Sequence, residues 1–257
     1  LPEFQKFFED FVLTGGFLAT INQFYSKGFI PSYSYETYLN WIEGDLHKTN
    51  RSEKVALRII ERIFTHFTTP VSLYKLAKES GLSSHTTVSD YLDILEKMFV
   101  LFPLSYISIS QRKVDYKKNQ KFYFLDPFIQ AVLSATVNDF LDEAFSYSRT
   151  TLLPDALRPA LAEALVGAAL KRHYPRLFYG GDKGIEIDFV GKRGNTFSFF
   201  EVKYAKEIRT QEVSRIKQVL PKNKVTFITQ KDYSEEKELI EMVPLEIFLA
   251  FPHEFCK

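Results

Sequence analysis

Two stretches near the C-terminal end constrain this chain more than any other: residues 184–191 (GIEIDFVG) and 196–204 (TFSFFEVKY), joined by Lys192, Arg193, Gly194 and Asn195. Apolar, β-branched and aromatic runs separated by a short Gly/Asn connection predict a β-hairpin. Side chains on a strand alternate faces. Phe197, Phe199, Glu201 and Lys203 therefore share one face, and Ser198, Phe200, Val202 and Tyr204 share the other. Both faces are largely apolar, which predicts a central strand covered on both sides. A carboxylate and an ammonium at the end of such a strand are costly to bury unless they are paired or bound to a metal.

The first strand repeats the theme. Ile185, Ile187 and Phe189 are expected on one face, and Glu186, Asp188 and Val190 on the other. Asp188 precedes Glu201 by thirteen residues, a spacing at which a tight hairpin brings two carboxylates together. Glu186 is the alternative to Asp188 as the acidic partner. Upstream, residues 159–174 read as a helix whose Glu163 shares a face with Val166, Gly167, Leu170 and Tyr174, so its carboxylate is expected to point inward. Downstream, a polar helix at about 209–220 leads to a strand at 225–229, the pattern of a parallel crossover.

Three inward carboxylates and a lysine are the set needed for metal-assisted phosphodiester hydrolysis. Asp188 and Glu201, with Glu163 or Glu186, supply oxygen ligands for Mg²⁺ or Mn²⁺. Such an ion polarises a phosphate and acidifies a bound water. Lys203 is placed to orient that water or to stabilise developing charge.

The rest of the chain is organised differently. Residues 1–52 read as a helical segment broken at Gly15-Gly16, a pair better explained as a helix break than as a phosphate loop. Residues 53–125 give three short helices, with Ser72 and Ser83 or Ser84 as N-caps, and then an apolar strand over Phe99–Ile109 and another over 121–125. Three helices and a hairpin predict a winged helix-turn-helix. His85, Thr86 and Thr87 open its second helix and are candidates for contacting nucleic acid. Arg112, Lys113, Lys117, Lys118 and Lys121, interleaved with Tyr116, form a basic turn suited to phosphates. Residues 126–257 then make up the domain that carries the hairpin. The fold expected is α+β: a helical N-terminal segment, a winged helix-turn-helix, and an α/β domain with a mixed sheet.

Bulk properties narrow the setting. With 33 Lys and Arg against 32 Asp and Glu the net charge is only +1, so DNA binding must come from local patches. The single cysteine, Cys256, excludes an internal disulfide and fits a reducing, cytoplasmic compartment. No apolar run is long enough to span a membrane, and residues 1–4 (LPEF) do not open a signal peptide. The missing initiator Met suggests a fragment of a longer protein.

Asp188, Glu201-Val202-Lys203 and the helix residue Glu163 resemble the PD-(D/E)XK, restriction-endonuclease-like superfamily, although Ile187 stands where that family often has proline. A broader resemblance covers nearly the whole chain. Residues 13–17 (LTGGF), 38–52, 85–88 (HTTV), Tyr91-Leu92, 121–127 (KFYFLDP), 186–190 and 201–203 are similar to the C-terminal region of archaeal and bacterial AAA-type ATPases of unknown function. There, a P-loop domain precedes a winged helix and a nuclease-like domain. This sequence has no GxxxxGK[ST] motif, so ATP is not expected on it. The resemblance implies DNA and an upstream P-loop ATPase domain as partners, no membrane, and leaves a homo-oligomer open. Two functional readings remain: a DNA-binding, Mg²⁺- or Mn²⁺-dependent endonuclease, or a catalytically inactive regulatory or protein- or DNA-binding module of the same fold.

Overall fold

The structure, a computed structural model, describes residues 2–154, 158–205, 208–230 and 239–256. The protein is mixed α and β and divides into two compact units. One is Leu1–Pro103 with Phe122–Leu157; the other is Leu104–Lys121 with Arg158–Lys257. This division differs from the three consecutive segments read from the sequence, because residues 1–52 fall in the same unit as most of 53–125, and residues 104–121 fall with the C-terminal sheet.

The first unit opens with α1 (Pro2–Thr14), α2 (Leu18–Lys27) and α3 (Ser32–Lys48), followed by α4 (Glu53–Thr65), α5 (Leu73–Glu79) and α6 (His85–Lys97). The last two start where the hydroxyl residues predict. Ser72 Oγ accepts from Lys75 N at 3.1 Å, and Ser84 Oγ accepts from Thr86 N at 3.1 Å. The α4 to α6 helices bury Ile59, Ile60, Ile63, Leu76, Val88, Leu92 and Leu95 in one core.

After α6 the chain forms β1 (Leu101–Leu104), β2 (Tyr106–Ser108), β3 (Lys113–Asp115) and β4 (Lys121–Phe124). β1 and β4 make a two-stranded sheet, while β2 and β3 pair antiparallel and join the larger sheet of the second unit. The expected single strand over Phe99–Ile109 is therefore two strands serving two sheets. They part at Ser105, whose carbonyl accepts from Tyr179 N. The first unit closes with α7 (Pro127–Val137), a 3₁₀ turn and α8 (Ala144–Leu152).

Asp126 fastens α7 to the first helix pair. Its Oδ1 caps Phe128 N and its Oδ2 accepts from Gly16 N, both at 2.8 Å. Gly15 has φ +61°, and a Cβ there would lie 2.1 Å from Asp126 Oδ1. The glycine pair is thus a helix break that admits a buried carboxylate.

The second unit is built on a seven-stranded mixed sheet. Its further elements are α9 (Arg158–His173), β5 (Arg176–Asp182), β6 (Ile185–Arg193), β7 (Thr196–Lys203), α10 (Thr210–Val219), β8 (Val225–Thr229), β9 (Ile240–Pro244), α11 (Leu245–Ala250) and α12 (Pro252–Phe255). Strand order is β3-β2-β5-β6-β7-β8-β9. β5, β6 and β7 run antiparallel, and β2–β5, β7–β8 and β8–β9 are parallel. The β7-α10-β8 crossover expected from the sequence is present.

The two apolar faces of β7 are both covered. Tyr174, just after α9, packs on Phe200 and against Gly191. Ile216 and Leu220, in and just after α10, pack with Val190, Phe199 and Phe227. Among the described residues no helix is long and apolar enough to cross a membrane.

Candidate functional site

The site begins with a fault in strand pairing. On the β5 side, Phe178 pairs with Val190 but Gly180 pairs with Ile187, so β6 carries an extra residue at Asp188–Phe189. Such a bulge breaks the alternation of faces. Ile187 and Val190 consequently share one core cluster, contrary to the strict period of two expected from the sequence. On the other side, regular β6–β7 pairing extends only to Phe189 opposite Phe200.

Beyond that point side chains continue the ladder. Val202 N donates to Asp188 Oδ2 at 2.8 Å, and Asp188 N donates to Glu201 Oε2 at 3.2 Å. Each carboxylate thus satisfies a backbone amide that the diverging strands leave behind. Lys203 Nζ lies 2.7 Å from Glu201 Oε1. Asp188, Glu201 and Lys203 are therefore together, as the hairpin predicts.

The helix carboxylate reaches the same place through a residue assigned elsewhere from the sequence. Lys121 Nζ lies 3.0 Å from Glu163 Oε1, 2.8 Å from Glu186 Oε1 and 3.9 Å from Asp188 Oδ1. Its side chain is only 3% exposed, and its ammonium stands over the Tyr179 ring. Lys121 is thus not part of the exposed basic turn. As the first residue of β4, a strand buried along its whole length, it points its charge into the acid cluster. A lone lysine opening an otherwise apolar strand was the sequence signal for a buried ion pair. Glu186 and Asp188, read as alternatives, both take part.

Four carboxylates here face two ammonium groups. Glu201, 3% exposed, is pushed up to about 8 by burial and then by Asp188, with Lys203 pulling the other way. Burial opposes the charge on Lys121, but Glu163, Asp188 and Glu186 outweigh it and raise its pKa. Lys203 is likewise raised, by Glu201 and Asp188 against burial. Tyr179 is pushed up to about 12 by burial and by Glu186, and its hydroxyl donates to Asn119 O at 2.6 Å.

The donor set fits a hard divalent cation in kind, since every candidate ligand is a carboxylate oxygen. Among the described residues no three acidic, His or Cys side chains stand grouped as a ready metal cage. The point at which Glu163, Glu186 and Asp188 converge is held by the Lys121 ammonium.

Of the residues expected to touch nucleic acid, Arg112, Lys113, Lys117 and Lys118 are exposed on the β2–β3 hairpin and the turn after it. The Arg112 guanidinium stacks over Phe197 and the Lys118 ammonium over Tyr106. Tyr116 is 84% exposed beside them. His85 and Thr86 are exposed and Thr87 half-buried in the first turn of α6, in the other unit. A cavity of roughly 230 Å³, lined by Ile107, Arg112, Thr196, Phe197 and Phe199, sits at the far end of β7 from Glu201 and contains none of the carboxylates.

Residues 159–248, which hold the whole hairpin with Glu163, match the model of a domain of unknown function, DUF4143. No curated protein and no solved structure matches the chain. A second model covers just over half of the sequence, residues 5–139, and by that match the chain belongs to the family described as domain of unknown function DUF8612.

Proposed function

We propose that the second unit is a nuclease-like domain of the PD-(D/E)XK kind, acting on DNA with Mg²⁺ or Mn²⁺, as part of a cytoplasmic protein that works with an AAA-type ATPase. One observation carries this reading: where β6 and β7 diverge, Asp188 N donates to the Glu201 carboxylate and Val202 N donates to the Asp188 carboxylate, with Lys203 on Glu201. Asp188, Glu201, Glu163 and Glu186 are the residues that would hold the ion. When bound, the ion supplies Lewis acidity toward a phosphate oxygen and a more acidic water. Lys203, the more exposed partner of its pair, would bind a phosphate oxygen or orient a water. The exposed cations Arg112, Lys113, Lys117 and Lys118 would contact DNA phosphates from one edge of the sheet.

In the first unit, α4 to α6 with the β1–β4 sheet fit a winged helix-turn-helix, with His85, Thr86 and Thr87 at the start of its second helix. The basic turn belongs to the β2–β3 hairpin, which is part of the second unit's sheet. DNA contact by the first unit would then come from α6.

A second reading has a specific observation in its favour. Lys121 gives the acid cluster a counter-charge from within the fold, as a module that keeps the fold for regulation or partner binding would require. Cleavage assays on duplex and branched DNA in Mg²⁺ and in Mn²⁺ separate the two. The nuclease reading expects activity that Asp188→Ala abolishes. If wild type and Asp188→Ala behave identically in both ions, the catalytic reading fails and the regulatory one stands.

A further inference from the structure

Lys121 is the one member of the acid–lysine cluster that the metal-dependent reading leaves without a task. Its ammonium is in contact with carboxylates from two different elements, α9 and β6. A buried ammonium persists only where such partners surround it. Its backbone has little freedom, because Phe122, Tyr123 and Phe124, which follow it directly in β4, are 3% exposed or less. Only the side chain can leave. The cluster opens to solvent at Glu186, whose side chain is 44% exposed, so an ion arriving from water meets the Glu186–Lys121 pair first. A divalent cation set among the same three carboxylates would stand within a few ångströms of a like charge in a poorly screened pocket, a strongly repulsive arrangement.

Building on the nuclease-type reading, we propose that Lys121 and a divalent cation are mutually exclusive occupants of the Glu163–Glu186–Asp188 cluster. The lysine is the resting counter-ion, and metal enters only by displacing it. The site is then self-inhibited: its acids are held around the ammonium until that group swings away.

Mn²⁺ alone is the probe. Titrated against the full chain and followed by the electron paramagnetic resonance signal of free Mn²⁺, Lys121→Met is expected to bind at least tenfold more tightly than wild type. Mn²⁺ is also expected to raise the melting temperature of Lys121→Met by several degrees while leaving that of wild type nearly unchanged. If the variant does not fold, wild type alone decides. Reductive methylation read by mass spectrometry should find Lys121 protected in EDTA and labelled in millimolar Mn²⁺. Binding of equal strength in the two proteins, or Mn²⁺ bound to wild type with Lys121 still protected, overturns the exclusion but leaves the nuclease-type reading intact. Mn²⁺ bound by neither protein removes that reading and this inference with it.

Discussion

Replacing Glu201 with Gln tests whether burial really governs this site. In the metal-free protein the Glu201 carboxyl is pushed up to about 8 from an ordinary value of 4.5, chiefly because β7 buries it. A displacement of that size corresponds to a preference on the order of 4–5 kcal/mol for the neutral form in the folded state. The sign follows from linkage: the folded pKa is raised, so the contribution is fully present below the unfolded value and is lost as pH rises toward about 8. Gln is nearly isosteric with the protonated acid and cannot ionise. Its carbonyl can still accept from Asp188 N, and Lys203 then faces a neutral partner, as it does in wild type at low pH. Groups elsewhere in the chain titrate alike in both proteins and cancel in the difference. Urea unfolding followed by circular dichroism, in EDTA at pH 5, 7 and 9, should therefore show similar stabilities at pH 5, a clear advantage for Glu201→Gln by pH 7, and a levelling of that advantage above about pH 8. The advantage should reach about 2 kcal/mol or more at pH 9. Stability curves that run parallel across this range would refute the argument, because they would mean that Glu201 titrates in the fold much as it does in the unfolded chain.

Three other outcomes are expected. Asp126→Ala removes the cap on α7 and strands Gly16 N–H, and should cost about 2–4 kcal/mol in urea unfolding; a loss under ~0.5 kcal/mol would show that water serves both amides equally well. Gly191→Ala would place a Cβ 2.7 Å from the Tyr174 ring, an overpacking cost of about 1–3 kcal/mol. Adding Tyr174→Leu should return part of that cost, and strict additivity of the two changes would contradict the contact. Lys117→Ala with Lys118→Ala should weaken duplex binding in fluorescence anisotropy and reduce the slope of log affinity against log salt by about 2, whereas an unchanged slope would move the DNA path off this edge.

The parts of the fold that were legible depend on local pattern. Ser72 and Ser84 announce helix starts because their hydroxyls compete for the first free amides. The Gly194 turn and the two flanking apolar runs announce the β6–β7 hairpin, and with it the meeting of Asp188, Glu201 and Lys203. Glu163 was placed inward by its neighbours on α9, and it is inward. The illegible parts are properties of pairs of distant segments. A bulge exists only where two strands are compared, and a period of two read along β6 alone cannot reveal it. One trace was nevertheless present, because a Gly-Gly pair inside a strand signals close backbone approach. A Cβ on Gly181 would lie 2.1 Å from the Ile185 carbonyl, and one on Gly180 2.7 Å from that of Ile107. The excursion of β2 and β3 left no comparable trace, since an edge hairpin and a wing have the same local sequence requirements.

The bulge also explains why Asp188 differs in kind from the other acids. Glu201 and Lys203 form one pole, and Glu163, Glu186 and Lys121 form another. Had β6 kept regular pairing, Asp188 would have carried a side chain on one face only and served one pole. Displaced at the bulge, its Oδ2 serves Val202 N beside Glu201, while its Oδ1 faces Lys121. It also raises the pKa of Glu201, Lys121 and Lys203 alike. Loss of its charge thus reaches both poles at once, whereas a change at Glu163 or Glu186 acts on the Lys121 pole. Asp188 is thus the acid that joins the two lysine poles.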